Sequence, residues 1–279
     1  MRIYIMTDME GVAGVLDFKN WVEKDGKYYD EGKKLLTEEI NACINGFCAA
    51  CEQRGEEVEE ILVVDGHGYG GIDVSMLDKR ASYSRGWYGP FPFEKDERFD
   101  CGAIIGQHAR AGTEYSHLTH TGMPNTLYMK INGIEVGEYG EEALLMSQYG
   151  FPMIFASGEK ALEIEVKELT PWVHTAAVKE GVTPGKGDEC TNEQYEVRNL
   201  GAIHLSPARA RKLIREKSEK AMTDFLENKE KFELVKLEPP FVMERRYRSI
   251  KGEPPFTLRS ESMKSLASAL NGENRVKLD

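Results

Sequence analysis

Five side chains stand out for where they fall: Asp8, Glu10, His67, His108 and Glu138. Asp8 and Glu10 lie in Thr7-Asp8-Met9-Glu10-Gly11, directly after the β-rich run Arg2-Ile3-Tyr4-Ile5-Met6. His67 follows a second such run, Glu59-Glu60-Ile61-Leu62-Val63-Val64, within Asp65-Gly66-His67-Gly68. His108 closes a third, Cys101-Gly102-Ala103-Ile104-Ile105, in Gly106-Gln107-His108. Glu138 comes just after an expected hairpin. Carboxylate oxygens and imidazole nitrogens delivered from several strand ends form a donor set that suits zinc and its neighbours. Each residue alone has an ordinary reading, the carboxylates as turn or helix caps and the histidines as structural groups. The weight comes from coincidence, since two of only six histidines close separate apolar strands in Gly-containing turns.

Residues 108–120 hold three of those histidines, His108, His117 and His120, together with Arg110. They would supply a metal ligand, a proton-transfer group, and a cation that polarises a carbonyl or binds a carboxylate. Alternatively, His117 and His120 flank a loop and bind water. His174 and His204 are read as structural.

The elements that must position these groups follow from the pattern. Near-continuous apolar strands separated by helical stretches predict a mixed, mostly parallel sheet covered on both faces, a three-layer α/β/α arrangement. In such open sheets binding sites form beyond the carboxyl ends of the strands. A helix is expected over residues 38–53, capped by Thr37, between the first two strands. Leu127-Tyr128-Met129-Lys130-Ile131 and Ile134-Glu135-Val136 flank Asn132-Gly133 as a hairpin. A helix over 141–148 follows, then strands at 153–156 and 174–178 with a helix over 159–168 between them. The polar stretch Pro184-Gly185-Lys186-Gly187-Asp188-Glu189 marks a boundary. It divides a metal-binding domain, 1–188, from a smaller C-terminal α+β domain, 189–279. In the latter, Ser206-Pro207 opens a helix whose apolar face carries Ala210, Leu213, Ile214, Ala221 and Phe225. Phe241-Val242-Met243 is expected as a strand and residues 261–270 as the last helix.

Bulk properties exclude several classes. The chain has 279 residues, 41% hydrophobic and 30% charged, which is ordinary globular composition. A formal net charge of −11 and the lack of a basic cluster argue against nucleic acid as a partner. No apolar run is long enough for a membrane span or a signal peptide, so a soluble, cytoplasmic protein is expected. Five cysteines suit a reducing compartment. Cys43, Cys48 and Cys51 have an iron–sulfur spacing, but they sit in a helical pattern and read better as small buried hydrophobes.

Taken together, Asp8-Met9-Glu10-Gly11, Asp65-Gly66-His67, His108-Ala109-Arg110-Ala111-Gly112-Thr113, Thr119-His120-Thr121 and Val136-Gly137-Glu138 form a specific combination. It resembles that of the bacterial zinc D-aminopeptidases, the toroidal peptidases once labelled dipeptide transport proteins. The likeness runs in order through Thr37-Glu38-Glu39 and Thr175-Ala176-Ala177-Val178-Lys179 to Leu205-Ser206-Pro207, and the chain beyond matches poorly. The resemblance implies two zinc ions bridged by Asp8, with Glu10 and His67 completing one and His108 and Glu138 the other. Manganese or another divalent ion would also suit. It implies that His120 is the catalytic histidine, that the substrates are short peptides containing D-amino acids, and that the protein is a homodecamer. The stretch from His108 to His120 is one residue longer than the family pattern, which leaves His117 as the alternative. The loop after His67, with Tyr69 and Gly70-Gly71, also departs from it.

On this reading Arg110 would hold a carboxylate or developing oxyanion, and Glu38 or Glu39 the substrate ammonium. The aromatic, turn-rich segment 83–93 would form either a lid or a subunit contact. Two other classes share the ligand pattern, a two-metal phosphoesterase and a non-catalytic peptide- or metal-binding protein. No P-loop supports the first.

Overall fold

The computed structural model describes residues 1–86 and 91–278. Six strands, each rich in residues that pack well on a pleated surface, build most of a seven-stranded sheet. They are β1 (Arg2–Thr7), β2 (Glu60–Asp65), β3 (Ser82–Ser84), β4 (Cys101–Gln107), β7 (Met153–Glu159) and β8 (His174–Gly181), and all pair in parallel. The short edge strand β9 (Ala202–His204) is antiparallel to β8. The order is β3-β2-β1-β4-β7-β8-β9, so the chain runs from β1 to β2 on one side and later returns to β4 on the other. That reversal makes the carboxyl ends of β1, β2 and β4 the topological switch point, where this class of sheet leaves a crevice.

Alternation along the central strands sorts the core into two layers. Ile3 and Ile5 of β1 and Val63 of β2 pack with α1 (Tyr29–Arg54) and α5 (Pro207–Glu227). Tyr4 and Met6 of β1 and Val64 of β2 pack instead with Tyr139 and Ala143 of α2 (Glu138–Gln148) and Val166 of α3 (Leu162–Leu169). The mostly parallel α/β fold with helices on both faces is therefore as the apolar runs predict.

A second sheet has the order β12-β11-β10-β5-β6 and is antiparallel throughout. It joins the hairpin β5 (Thr126–Ile131) and β6 (Ile134–Val136) to β10 (Phe241–Tyr247), β11 (Phe256–Ser262) and β12 (Val276–Lys277). Leu144 and Leu145 of α2 share its core with Met129, Phe241 and Leu270 of α6 (Leu266–Leu270), so α2 is packed on both sides. The division of layers crosses the boundary expected near residue 188 in both directions. β5 and β6 belong to the second sheet, while β9 and α5 belong to the first.

Local expectations fail in instructive places. The first long helix begins at Tyr29, nine residues before its expected start at 38, so Thr37 is internal to it rather than a cap. Its hydroxyl donates to the Lys33 carbonyl and accepts from the Asp73 N–H. The last helix is much shorter than 261–270 because Glu261 and Ser262 pair with Val242 and Phe241 in β10. Only Leu266–Leu270 is helical, started by Ser265, whose hydroxyl accepts from the Ser268 N–H. Residue 159 ends a strand instead of opening a helix. Cys43 and Cys51 are buried in α1 and all five cysteines are free thiols, the bland reading of that triplet.

Candidate metal centre

All five residues singled out from strand ends meet at the switch point, though they come from four separate elements. Asp8 and Glu10 follow β1, His67 follows β2, His108 follows β4, and Glu138 is the first residue of α2. The strand ends approach closely because glycine lines the crossing. Gly106 has φ +78 and a Cβ there would lie 2.0 Å from the Asp8 carbonyl oxygen, which only glycine accommodates. The Asp8 N–H donates to the Ile105 carbonyl and the Gly11 N–H to that of Gly106, clamping the two turns together.

The donor atoms form two triads, Asp8–Glu10–His67 and His108–His120–Glu138, and within each triad they lie within 4.8 Å of one another. Asp8 stands between them. Its Oδ1 is 3.4 Å from His67 Nδ1 and its Oδ2 is 3.2 Å from His108 Nε2. Glu10 Oε2 lies 3.2 Å from His67 Nδ1, and Glu138 Oε1 lies 3.4 Å from His108 Nε2. His120 Nε2 faces both triads, 3.7 Å from Glu138 Oε1 and 4.0 Å from Glu10 Oε1. Its ring stacks on His108 with centroids 4.0 Å apart, and Phe18 packs edge-on against it.

Each imidazole has its outer nitrogen on a backbone carbonyl: His67 Nε2 on Val22, His108 Nδ1 on Ala109, His120 Nδ1 on Leu118. A carbonyl can only accept, so these nitrogens carry the proton and a neutral ring turns its lone pair inward. That second contact is what orients ligating histidines. Three carboxylates and three inward lone pairs in one small volume require positive charge. Glu10 Oε2 and His108 Nε2 are buried without a hydrogen-bond partner, as donor atoms aimed at a cation would be. A divalent cation therefore fits each triad.

Electrostatics carry the same message. Burial and the neighbouring Glu10 push the Asp8 carboxyl up to about 7. Burial also pushes Glu138 upward, but the His108 and His120 imidazoles and the Gly122 N–H outweigh it and hold the group at about 2. His108 is raised to about 10, because the attraction of Glu138 and Asp8 exceeds the penalty of burial. His120 is held below the ordinary imidazole range by burial and by His108 beside it. The carboxylates thus favour positive charge at His108, the place a cation would take, whereas burial and His108 disfavour it on His120.

Supporting groups came without a sequence signal. Glu159, at the carboxyl end of β7, accepts the Ala109 N–H on Oε1 and the His117 N–H on Oε2, each at 2.6 Å. Lys179 of β8 donates to the carbonyl of Glu10. Glu165 of α3 accepts from Gly137 N at 2.6 Å and Gly140 N at 3.0 Å, fixing the first turn of the helix that carries Glu138. A carboxylate there also complements the positive end of the helix. Only charge at a strand end or on an amphipathic helix hinted at these roles, and such charge is usually solvated.

Several expected site residues are placed elsewhere. Arg110 points away from the triads, its guanidinium 2.8 Å from Glu168 and 3.8 Å from Glu135, beside a separate cavity. Glu38 pairs with Arg211 at 2.6 Å, and Glu39 is buried on the Ala13 N–H. Neither belongs to the donor triads. His117 is fully buried, its Nε2 on the Leu16 carbonyl and its ring against His204. Of the aromatic segment, residues 87–90 lie outside the described residues, while Phe91 and Phe93 line the cavity in front of the triads. That cavity has a volume of about 1350 Å³ and is walled on its far side by the second sheet. Among the described residues no helix is long and apolar enough to cross a membrane.

A family model described as D-aminopeptidase matches residues 1–251. A D-aminopeptidase of Bacillus subtilis (strain 168) is 31% identical over 244 residues, covering 86% of this chain and 78% of that protein. Among solved structures, the Zn-dependent D-aminopeptidase DppA from Bacillus subtilis, described as a self-compartmentalizing protease, superposes with a TM-score of 0.77. That match has 26% sequence identity and covers 97% of this chain and 95% of the other.

Proposed function

The chain belongs to the D-aminopeptidase family, and from that membership we propose that it is a two-zinc aminopeptidase that removes the first residue of short D-amino-acid-containing peptides. The observation that carries the reading is Asp8, whose two carboxylate oxygens face His67 on one side and His108 on the other. Glu10 and His67 would complete one ion and Glu138 and His108 the other. When bound, paired zinc ions supply a Lewis acid for the scissile carbonyl and lower the pKa of water to about 7.

The chain's own residues then have distinct tasks. His120, neutral and open to both triads, accepts a proton during attack and returns it to the departing amine. The Leu118 carbonyl fixes its tautomer, with Nδ1 protonated and Nε2 free to take the proton. Phe18 and Val22 line the cavity beside the histidines and limit water there. His117, sealed against Leu16 and His204, has no path to substrate, which favours His120 over it for this role.

The assembly we propose is a homo-oligomer, a decamer enclosing its sites, in keeping with the self-compartmentalizing description of the Bacillus subtilis enzyme. A cytoplasmic location is proposed on the free thiols of all five cysteines. The test is metal analysis and peptide turnover for wild type, His108→Ala and His120→Ala. His108→Ala should lose zinc and activity together, whereas His120→Ala should retain zinc and lose most turnover of D-alanyl-D-alanine. Zinc loss in His120→Ala would make that residue a ligand instead. Turnover of nitrophenyl phosphate but of no peptide would replace the peptidase reading altogether.

A further inference from the structure

The far wall of the cavity comes from β10, where Met243, Arg245 and Tyr247 point the same way, as alternate residues of a strand must. Arg245 is unusual among the cations lining this space, since Lys19 and Arg275 are exposed at its rim. Its Nε is buried without a hydrogen bond, and its Nη2 rests 3.1 Å from the Met129 sulfur, a weak acceptor. It forms no ion pair with a carboxylate among the described residues. Glu141 lies within its field without reaching it as an ion pair, and burial pushes that carboxyl up to about 8. A half-buried, forked cation resting on a thioether leaves most of its donors unspent.

Its position relative to the triads is set by Gly122. The Gly122 N–H donates to Glu138 Oε1 at 2.7 Å, and a Cβ on this glycine would come within 3.0 Å of Arg245 Nη1. Through those contacts and the intervening covalent bonds, Nη1 lies at most about 9 Å from the Glu138 carboxylate. One residue of extended peptide spans about 3.5 Å. Adding a polar contact of about 3 Å at each end gives a span of the same order as that upper limit, so one residue suffices to reach from the triads to Arg245.

We propose that Arg245 binds the free C-terminal carboxylate of the residue that follows the scissile bond, and so selects dipeptides. This rests on the peptidase reading above. Carboxylate and guanidinium match as a two-pronged pair, and the apolar side chains of Met243 and Tyr247 beside it strengthen the contact by excluding water. A longer peptide would present a neutral amide at the same point, whose single carbonyl oxygen replaces a two-pronged, charge-assisted contact with a weaker one and so discriminates against it.

The test compares D-alanyl-D-alanine with its C-terminal amide, using zinc-loaded wild type, Arg245→Gln and Arg245→Lys. Wild type should favour the free acid by roughly 10- to 100-fold in kcat/KM, chiefly through KM. In Arg245→Gln the ratio of kcat/KM for the free acid to that for the amide should fall towards one, with zinc retained. Arg245→Lys should keep part of the preference, retaining charge without the fork. Preference retained in Arg245→Gln, or absent in wild type while both peptides are cleaved, overturns the anchor and leaves the peptidase reading intact. Equal loss on both peptides in both variants also overturns it, as a structural effect. If zinc-loaded wild type cleaves neither peptide, the peptidase reading fails and the anchor with it.

Discussion

Replacing Glu159 by Gln tests whether the metal centre depends on a carboxylate that touches none of the donors. Glu159 is buried, and each oxygen accepts one backbone N–H at 2.6 Å, from Ala109 and from His117. Those N–H groups lie one residue after His108 and three residues before His120, inside the loop whose two ends carry the imidazoles. A glutamine keeps one acceptor but turns an NH2 toward the other N–H, so one charge-assisted bond is lost and two donors face each other. The lost bond costs about 1.5–3 kcal/mol and the stranded donor about 1–3 kcal/mol. Lys179 also loses part of its counter-charge, since Glu159 is the chief attraction opposing its desolvation. Relief of the buried charge offsets some of this, because burial raises the Glu159 carboxyl's pKa. A net loss of about 2–4 kcal/mol follows. Chemical denaturation of the metal-free protein reads it directly, and competition with a chromophoric chelator should show zinc held about 10- to 100-fold more weakly. Unchanged zinc affinity beside an undiminished denaturation midpoint would refute the idea that Glu159 holds this segment in register.

Glu165 provides the counterpart. One of its oxygens takes both N–H groups, while Oε2 is buried with no hydrogen bond. Glu165→Gln should therefore fold within about 1 kcal/mol of wild type, and Glu165→Ala should lose about 2–4 kcal/mol, as denaturation midpoints would show; equal losses would disprove this division of labour. A pH dependence follows from His117, which burial, Lys179 and His204 depress to about 2. An unfolded chain protonates this imidazole below about 6.5 while the folded one does not, so its contribution is complete above that pH and falls as acid is added. Between pH 6.5 and 5 wild type should lose about 1.6 kcal/mol more than His117→Gln, since the unfolded imidazole is half protonated at the start and each further pH unit approaches about 1.36 kcal/mol. Raised carboxyls such as Glu39 act with the opposite sign in both proteins and cancel in that difference. Parallel pH profiles for the two would contradict the burial of a neutral imidazole.

What the sequence disclosed follows from how its residues act. Asp8, His67 and His108 were legible because a polar residue after an apolar parallel strand has one destination, the carboxyl edge of the sheet. Glu138 was legible through the Asn-Gly turn before it, which fixed the hairpin and hence the start of α2. The hairpin's partner was not. β5 pairs with β10, whose residues lie more than a hundred positions away, and no local pattern records that pairing. The helix over residues 261–270 failed for a different reason, because antiparallel pairing with the preceding strand β10 overrode local helical preference through Ser262. Arg110 misled because it adjoins His108 in sequence while the chain turns there, sending its side chain toward Glu168.

This asymmetry separates two kinds of information about the site. The donors that would grip metal are set by one sheet's connectivity and can be read strand by strand. The wall that meets the rest of a substrate comes from the antiparallel sheet, and it faces the donors only because β10 pairs with β5 across more than a hundred positions. Arg245 sits in Glu244-Arg245-Arg246, a run that reads from sequence as solvated charge. It becomes a recognition group because β10 turns it toward Gly122 and, through that residue, toward Glu138. Substitutions in β10 should therefore alter which peptides are taken while leaving metal in place, whereas substitutions at the ends of β1, β2 and β4 should remove metal and catalysis together.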